Sequence, residues 1–268
     1  MNDQTQAEKT AERLIHGSSF GAAAAAYAEH RPDYAEAAVR WALAPVWSRR
    51  PLRVVDVGAG TGKLTATLLR LGAEVTAVEP DQNMLAELCR GLPSVSSVPG
   101  SAEEIPLPDG SVAAVLAGQA MHWFDMDRAL PEIARVLTPG GVLAGLWNVD
   151  DDRVGWVAEF AEMSKRKASI TLLRWQDGGA KSRLEALVGA ASGPFHAGQT
   201  AEFEHGQART VDSLLATIAT HSNFLVMEES ERTRLLAQIR DFLQARPETS
   251  HGEFVLPMVT VALRALRT

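Results

Sequence analysis

Residues 54–62 read Val54-Val55-Asp56-Val57-Gly58-Ala59-Gly60-Thr61-Gly62. An apolar run carrying one acid runs straight into three glycines at alternate positions. Leu64–Leu71 then has helical character and ends at Gly72. Strand, glycine turn and helix in direct succession are the opening unit of a parallel α/β sheet. Glycine admits positive φ and lets a ligand come close to the backbone. The spacing is G-x-G-x-G. A dinucleotide fingerprint has its third glycine one place later, where Lys63 stands, and no Walker pattern is present.

Outward from this unit, short apolar runs alternate with helical stretches. Arg53–Val57, Glu74–Val78, Val95–Val98, Val112–Ala117 and Val142–Trp147 read as strands. Asp81 caps a helix reaching about Arg90, and Asp127–Val136 is a further helix. The turns are Pro108-Asp109-Gly110 and Thr138-Pro139-Gly140-Gly141. Near-continuous apolar strands between helices predict a mostly parallel, Rossmann-like sheet with helices on both faces. Upstream, residues 1–50 read as helices forming a lid. The alanine-rich stretch Phe20–Glu29 stops at Pro32, and Asp33 opens a second helix as N-cap with Glu36 three places on. Residues 51–150 form the core. Residues 151–268 read as a helical insertion over the substrate, with helices at Val154–Lys167, Val211–Ala219 and Glu228–Ala245. Strands at Glu202–Val211 and Glu253–Leu263 return to the sheet.

The chain has 268 residues, 46% hydrophobic and 22% charged, enough for a large core without staples. Lys and Arg number 26 against 33 acids, a net charge of −7, which argues against a nucleic-acid partner. The single cysteine, Cys89, reads as a small buried hydrophobe on a helix face and fits a reducing cytoplasm. The first ten residues contain no apolar signal core, and no apolar run is long enough to suggest a membrane span. No metal motif is evident.

Two further signals bear on function. Glu79 ends the second strand, about 20 residues after the loop, where a carboxylate accepts hydrogen bonds from a ribose diol. Ser101-Ala102-Glu103 follows the third strand, where an adenine edge fits. The glycine loop, Glu79, the PDGS turn before strand four and LTPGG before strand five together resemble the class I S-adenosylmethionine-dependent methyltransferases. Gln119-Ala120-Met121-His122-Trp123-Phe124, with Phe20, Tyr27 and Arg31-Pro32-Asp33-Tyr34 upstream, is similar to the small-molecule branch. That branch has a methyltransferase type 11 domain and includes the trans-aconitate methyltransferases. The resemblance implies S-adenosyl-L-methionine as cofactor. It implies that Asp56 and the backbone of Gly58, Ala59 and Gly60 face its methionine part, and that Glu79 holds the ribose. Pro80 and Met84 pack near the adenine, Ala102 and Glu103 border it, and Gln119 sits beside the methionine end. Tyr27 and Arg31 close over the cofactor. Each residue also has a plainer reading: Asp56 as a cap for loop amides, Met84 as helix core, and Tyr27 and Arg31 as surface.

Ligands of open α/β sheets lie outside the carboxyl ends of the strands. His122 and Trp123 follow strand four, and Trp147 and Asn148 end strand five, so they converge where the sulfonium methyl points. His122 is the candidate catalytic base, because an imidazole titrates near neutrality. Its rival role is packing against the following helix. Trp123, Trp147, Asn148 and His221 are the candidate substrate contacts, and indole faces suit a cationic sulfonium. The expected activity is methyl transfer to a small molecule, with specialised metabolism as the expected setting, by a monomer or homodimer. The alternatives are a non-catalytic cofactor-binding module and a nicotinamide-dependent oxidoreductase, which Lys63 argues against.

Overall fold

The computed structural model describes residues 32–164, 193–219, 224 and 227–268. In chain order the elements are α1 (Glu36–Leu43), a 3-10 turn (Ala44–Val46), β1 (Arg53–Val57), α2 (Lys63–Arg70) and β2 (Glu74–Glu79). Then come α3 (Gln82–Gly91), β3 (Ser96–Pro99), β4 (Val112–Gly118) and a 3-10 turn (Met121–Trp123). α4 (Met126–Val136), β5 (Leu137–Asp150), α5 (Gly155–Met163), β6 (Gln199–Arg209), α6 (Val211–Ala219), α7 (Glu229–Gln244) and β7 (Phe254–Leu266) complete the chain. The seven strands form one sheet in the order β3-β2-β1-β4-β5-β7-β6. β7 runs antiparallel to both its neighbours and the other pairings are parallel.

The central parallel strands β4 and β5 are apolar at consecutive positions because both faces of the sheet are covered there. On one face Val39 and Leu43 of α1 and Leu64 and Leu68 of α2 pack against Val54, Leu116 and Leu146. On the other, Ala129, Ile133 and Val136 of α4 pack against Val55, Val115 and Leu143. Each such Val, Leu or Ile side chain contributes about 1.5–3 kcal/mol when fully buried. Strand order reverses between β1 and β4, so a crevice opens at their carboxyl ends, the usual ligand position in this architecture.

β4 stops pairing at Gly118, opposite Leu146. β5 continues to Asp150 paired with β7 alone, and β6 follows β7 out to the Arg209–Phe254 pair. A three-stranded ribbon therefore projects past the carboxyl edge of the sheet. A separate core is built on it: Trp156 and Phe160 of α5, Leu214 and Ile218 of α6 and Ile239 and Leu243 of α7 meet Leu256 and Met258. These cap helices thus stand on the same side of the sheet as the crevice.

Three local expectations are corrected. β5 begins at Leu137 rather than Val142; a register irregularity opposite Val112/Ala114 and Gly140 at φ +65° let the strand pass through the expected turn. Asp33 does not cap α1, whose N-cap is Ala35 without a side-chain bond. Instead the Asp33 carbonyl accepts from Asn148 Nδ2 and its carboxylate lies 3.6 Å from Lys63 Nζ. Cys89 is exposed, its Sγ 3.1 Å from Ser97 Oγ, because Leu88 takes the buried position of α3. Asp81 does cap α3, accepting from the amides of Asn83 and Met84 at 2.9 Å each. Among the described residues, no helix is long and apolar enough to cross a membrane.

Candidate active site

The loop between β1 and α2 needs its glycines. Gly58, Gly60 and Gly62 have φ of +66°, +56° and +87°. A Cβ on Gly58 would come within 2.6 Å of the Ala120 Cβ, which follows β4 across the crevice. Four of the loop amides are spent inside the chain, while the buried Thr61 hydroxyl has no partner among the described residues. Gly58 and Ala59 donate to the Val78 carbonyl, at 2.8 and 3.2 Å, and Gly62 donates to the Ala59 carbonyl at 2.9 Å. The Gly60 amide donates to Glu79 Oε2 at 2.8 Å. A pyrophosphate bound here would need such donors. With them engaged, the loop suits a ligand that bears donors or positive charge.

The second half of the site is acidic. Asp56, at the end of β1, is fully buried. Its Oδ2 accepts from Thr65 Oγ1 of α2 at 2.6 Å, while its Oδ1 has no hydrogen-bond partner. Burial, with the neighbouring Glu79 charge adding to it, pushes the Asp56 carboxyl up to about 7. Glu79, at the end of β2, is also buried. Its Oε1 accepts from the Asp81 amide at 2.9 Å, and burial again raises its carboxyl above the ordinary range. Each Glu79 oxygen accepts one bond from the chain and retains a lone pair. Among the described residues no ion pair reaches either carboxylate. Nor do any three His, Cys, Asp or Glu side chains there group as a metal site.

Around this pair, Met84 is buried, its Sδ 3.5 Å from where a Cβ on Gly60 would lie. Pro80 is exposed at the rim. Ala102 sits in the core with Val78 and Ile105. Glu103 is half-buried, and its Oε1 accepts from the Asp125 amide at 2.8 Å, tying the loop after β3 to the start of α4. Gln119 has φ +55°, the single positive-φ non-glycine among the described residues, and its Nε2 donates to the Asn148 carbonyl at 2.8 Å. A strained backbone of this kind persists where the surroundings over-determine it.

The residues after β4 and near the end of β5 divide. His122 is exposed, its ring 4.8 Å from that of Trp123, which is half-buried. Trp147 turns into the core, its ring across Gly145 and beside Met121. Asn148 is buried in a polar chain: its Oδ1 accepts from Thr260 Oγ1 at 2.6 Å, and that hydroxyl accepts from the Ala35 amide at 3.1 Å. With the Thr260 proton so used, His205 Nε2, 3.1 Å away, is placed to donate to the same oxygen. Tyr27, Arg31 and His221 lie outside the described residues.

Sequence reasoning passed over Tyr34. Its hydroxyl rests on Gly118 at the carboxyl end of β4, where an added Cβ would lie 2.5 Å away, and the ring is buried. The upstream RPDY segment held the signal, although nothing in it says which residue turns inward. Thr65 carried no signal, being one of several threonines on an ordinary helix.

Comparison with known proteins fits this geometry. An uncharacterised methyltransferase of Mycobacterium tuberculosis is 40% identical over 257 residues, 96% of this chain and 98% of its own. The chain belongs to the class I S-adenosylmethionine-dependent methyltransferases. The family described as a methyltransferase domain matches residues 55–145 of this methyltransferase, from β1 into β5. A solved structure assigned as a type II methyltransferase, from Anaeromyxobacter dehalogenans, is 27% identical with a TM-score of 0.61. That alignment covers 88% of this chain and 97% of the other. A malonyl-[acyl-carrier protein] O-methyltransferase of Methylococcus capsulatus is 37% identical over 147 residues, 50% of this chain and 52% of its own. The Mycobacterium relative therefore spans nearly the whole methyltransferase, whereas the malonyl-directed enzyme shares about half of it.

Proposed function

We propose that this methyltransferase binds S-adenosylmethionine across the carboxyl ends of β1, β2 and β4, and methylates a small molecule held beneath the cap helices. One observation carries the reading: two buried carboxylates, with no cation against them among the described residues, stand beside a loop whose Gly58, Ala59, Gly60 and Gly62 amides are already engaged. That environment disfavours anionic nucleotides and favours a ligand with hydroxyl donors and positive charge.

The cofactor supplies an electrophilic methyl group on a sulfonium. Glu79 offers its remaining lone pairs to the ribose hydroxyls, and Asp56 offers Oδ1 toward the ammonium. The loop carbonyls of Gly58 to Gly60 line the same end. Met84 and Pro80 flank the adenine, with Ala102 and Glu103 along its edge. Gln119, held on Asn148, fixes the methionine end, and Tyr27 and Arg31 close the site from the N-terminal segment. The protein aligns the acceptor at about 3–3.5 Å and excludes water, the main requirement of an in-line displacement. His122 removes the acceptor's proton where there is one to remove. Trp123, Trp147, Asn148 and His221 contribute to the acceptor side, Trp147 by shaping its wall from the core.

The upstream RPDY and QAMHWF segments support a position in the small-molecule branch with the trans-aconitate methyltransferases. The aromatic side chains near the crevice suit an acceptor from specialised metabolism, in a cytoplasmic setting. Acceptor choice is assigned to the cap helices, which stand on the same side of the sheet as the crevice. Titration with S-adenosylhomocysteine followed by calorimetry tests the cofactor site. Incubation with labelled S-adenosylmethionine and fractionated small-molecule extract tests the reaction. Absence of binding removes the reading; label appearing only in protein or nucleic acid removes the acceptor class.

A further inference from the structure

Asp56 and Glu79 end adjacent strands on the same face of the sheet, since Asp56 pairs with Ala77, two residues before Glu79. Both are buried, and no cation among the described residues compensates them. The groups around Asp56 are few. From α2 come the Thr65 hydroxyl, which donates to Oδ2, and Lys63, whose ammonium turns to Asp33. From β2 comes Glu79, which in turn has the acidic Asp81 at the start of α3 beside it. From β4 the partner is Leu116, which is apolar. Two anions side by side in an apolar interior, one with an unpartnered oxygen, are costly unless one is neutralised. A ligand cation or a proton can do this.

We propose that Asp56 carries a proton while the site is empty and releases it to solvent when the α-ammonium of the cofactor arrives, so that cofactor binding is proton-coupled. The inference rests on the cofactor reading above and extends it. No covalent bond is made or broken beyond Asp56 O–H: the proton passes to buffer, and the carboxylate so formed faces the ammonium. Thr65 then donates to an anion, a stronger bond than the one it makes to the neutral acid. The elevated titration of Asp56, at about 7, sets the range in which the exchange is visible.

The probe is S-adenosylhomocysteine, which has the ammonium but not the sulfonium. Calorimetry at pH 7 in two buffers of different ionisation heat is expected to report release of roughly half a proton per site. The affinity is expected to rise about five- to tenfold from pH 6 to pH 7.5. Asp56→Asn is expected to abolish the release and flatten the pH profile. Thr65→Val, which removes the bond favouring the anion, is expected to bring the release at pH 7 close to one proton. It serves as the second variant should Asp56→Asn fail to fold. Binding without proton exchange overturns the proposal and leaves the cofactor reading standing. Release that persists in Asp56→Asn, or that Thr65→Val leaves unchanged, assigns the proton elsewhere and overturns it as well. No binding at all by the folded wild-type protein sinks the cofactor reading itself.

Discussion

Glu79 Oε2 accepts the Gly60 amide at 2.8 Å, so the residue proposed to hold the ribose also holds the glycine loop. The two roles predict a compound phenotype. Glu79→Ala is expected to weaken S-adenosylhomocysteine binding by about 1.5–3 kcal/mol, the scale of a charged hydrogen bond, and to lower Tm because the Gly60 and Asp81 amides lose their acceptor. Glu79→Gln retains an acceptor for one amide only and should fall between. Calorimetry with unchanged affinity in Glu79→Ala would remove the residue from the ligand site.

Gly118 and Gly58 answer to different constraints. At Gly118 an added methyl meets the Tyr34 hydroxyl at 2.5 Å, and at Gly58 it meets Ala120 at 2.6 Å with φ at +66°. Gly118→Ala is expected to displace the Tyr34 ring at a cost of about 1–3 kcal/mol, and a second change, Tyr34→Ala, should recover part of the loss. Gly58→Ala faces strain and clash together and should cost more, with no rescue from Tyr34→Ala. Thermal melts of the variants test this; equal losses at the two positions would mean the backbone accommodates both.

Much of the core was legible because its chemistry is local. The β1 run, its glycines and Glu79 lie close together in sequence, and continuous apolar strands announce burial on both faces. The projecting ribbon was only half legible: β5 passes through a Pro-Gly-Gly segment that reads as a turn, and its pairing with β7 is set more than 100 residues away. The Asn148–Thr260 contact spans 112 positions and follows no period. Asp33 looked like a helix cap because capping is a local rule, and here the long-range bond from Asn148 to its carbonyl prevails. Cys89 read as buried because an amphipathic helix does not declare which of two adjacent residues turns inward.

The Asn148–Thr260 pair anchors the segment that carries Tyr34. Thr260→Val removes the acceptor of the Ala35 amide and the donor to Asn148, at a cost of about 1–3 kcal/mol. Hydrogen exchange at the Ala35 amide is expected to quicken well beyond the change at β1 amides. Uniform quickening would mean that the pair supports the whole fold rather than this segment.

His122 is exposed beside Trp123. With a hydroxyl or amine acceptor, His122→Ala is expected to reduce turnover about 10²–10⁴-fold with cofactor affinity nearly intact. Full turnover in the variant would leave His122 a packing residue.

Asp56 also makes an argument about stability, with the sign opposite to that of a salt-bridged acid. Its carboxyl titrates at 3.8 in an ordinary setting and at about 7 in the fold. The native chain therefore holds more protons than the unfolded chain between those values, and stability falls as pH rises through the window. For the ligand-free protein the expected loss from Asp56 is about 2 kcal/mol between pH 5.5 and 8. Glu79, also raised by burial, acts in the same direction. His205, lowered by burial, acts oppositely but only below the ordinary imidazole value of 6.5. Glu132 and Asp151, lowered by their arginine partners, are ionised in both states across this range and drop out. Urea unfolding of wild type and Asp56→Asn at several pH values isolates the effect: the variant should have the flatter profile. Parallel profiles would mean that Asp56 is already ionised in the empty protein.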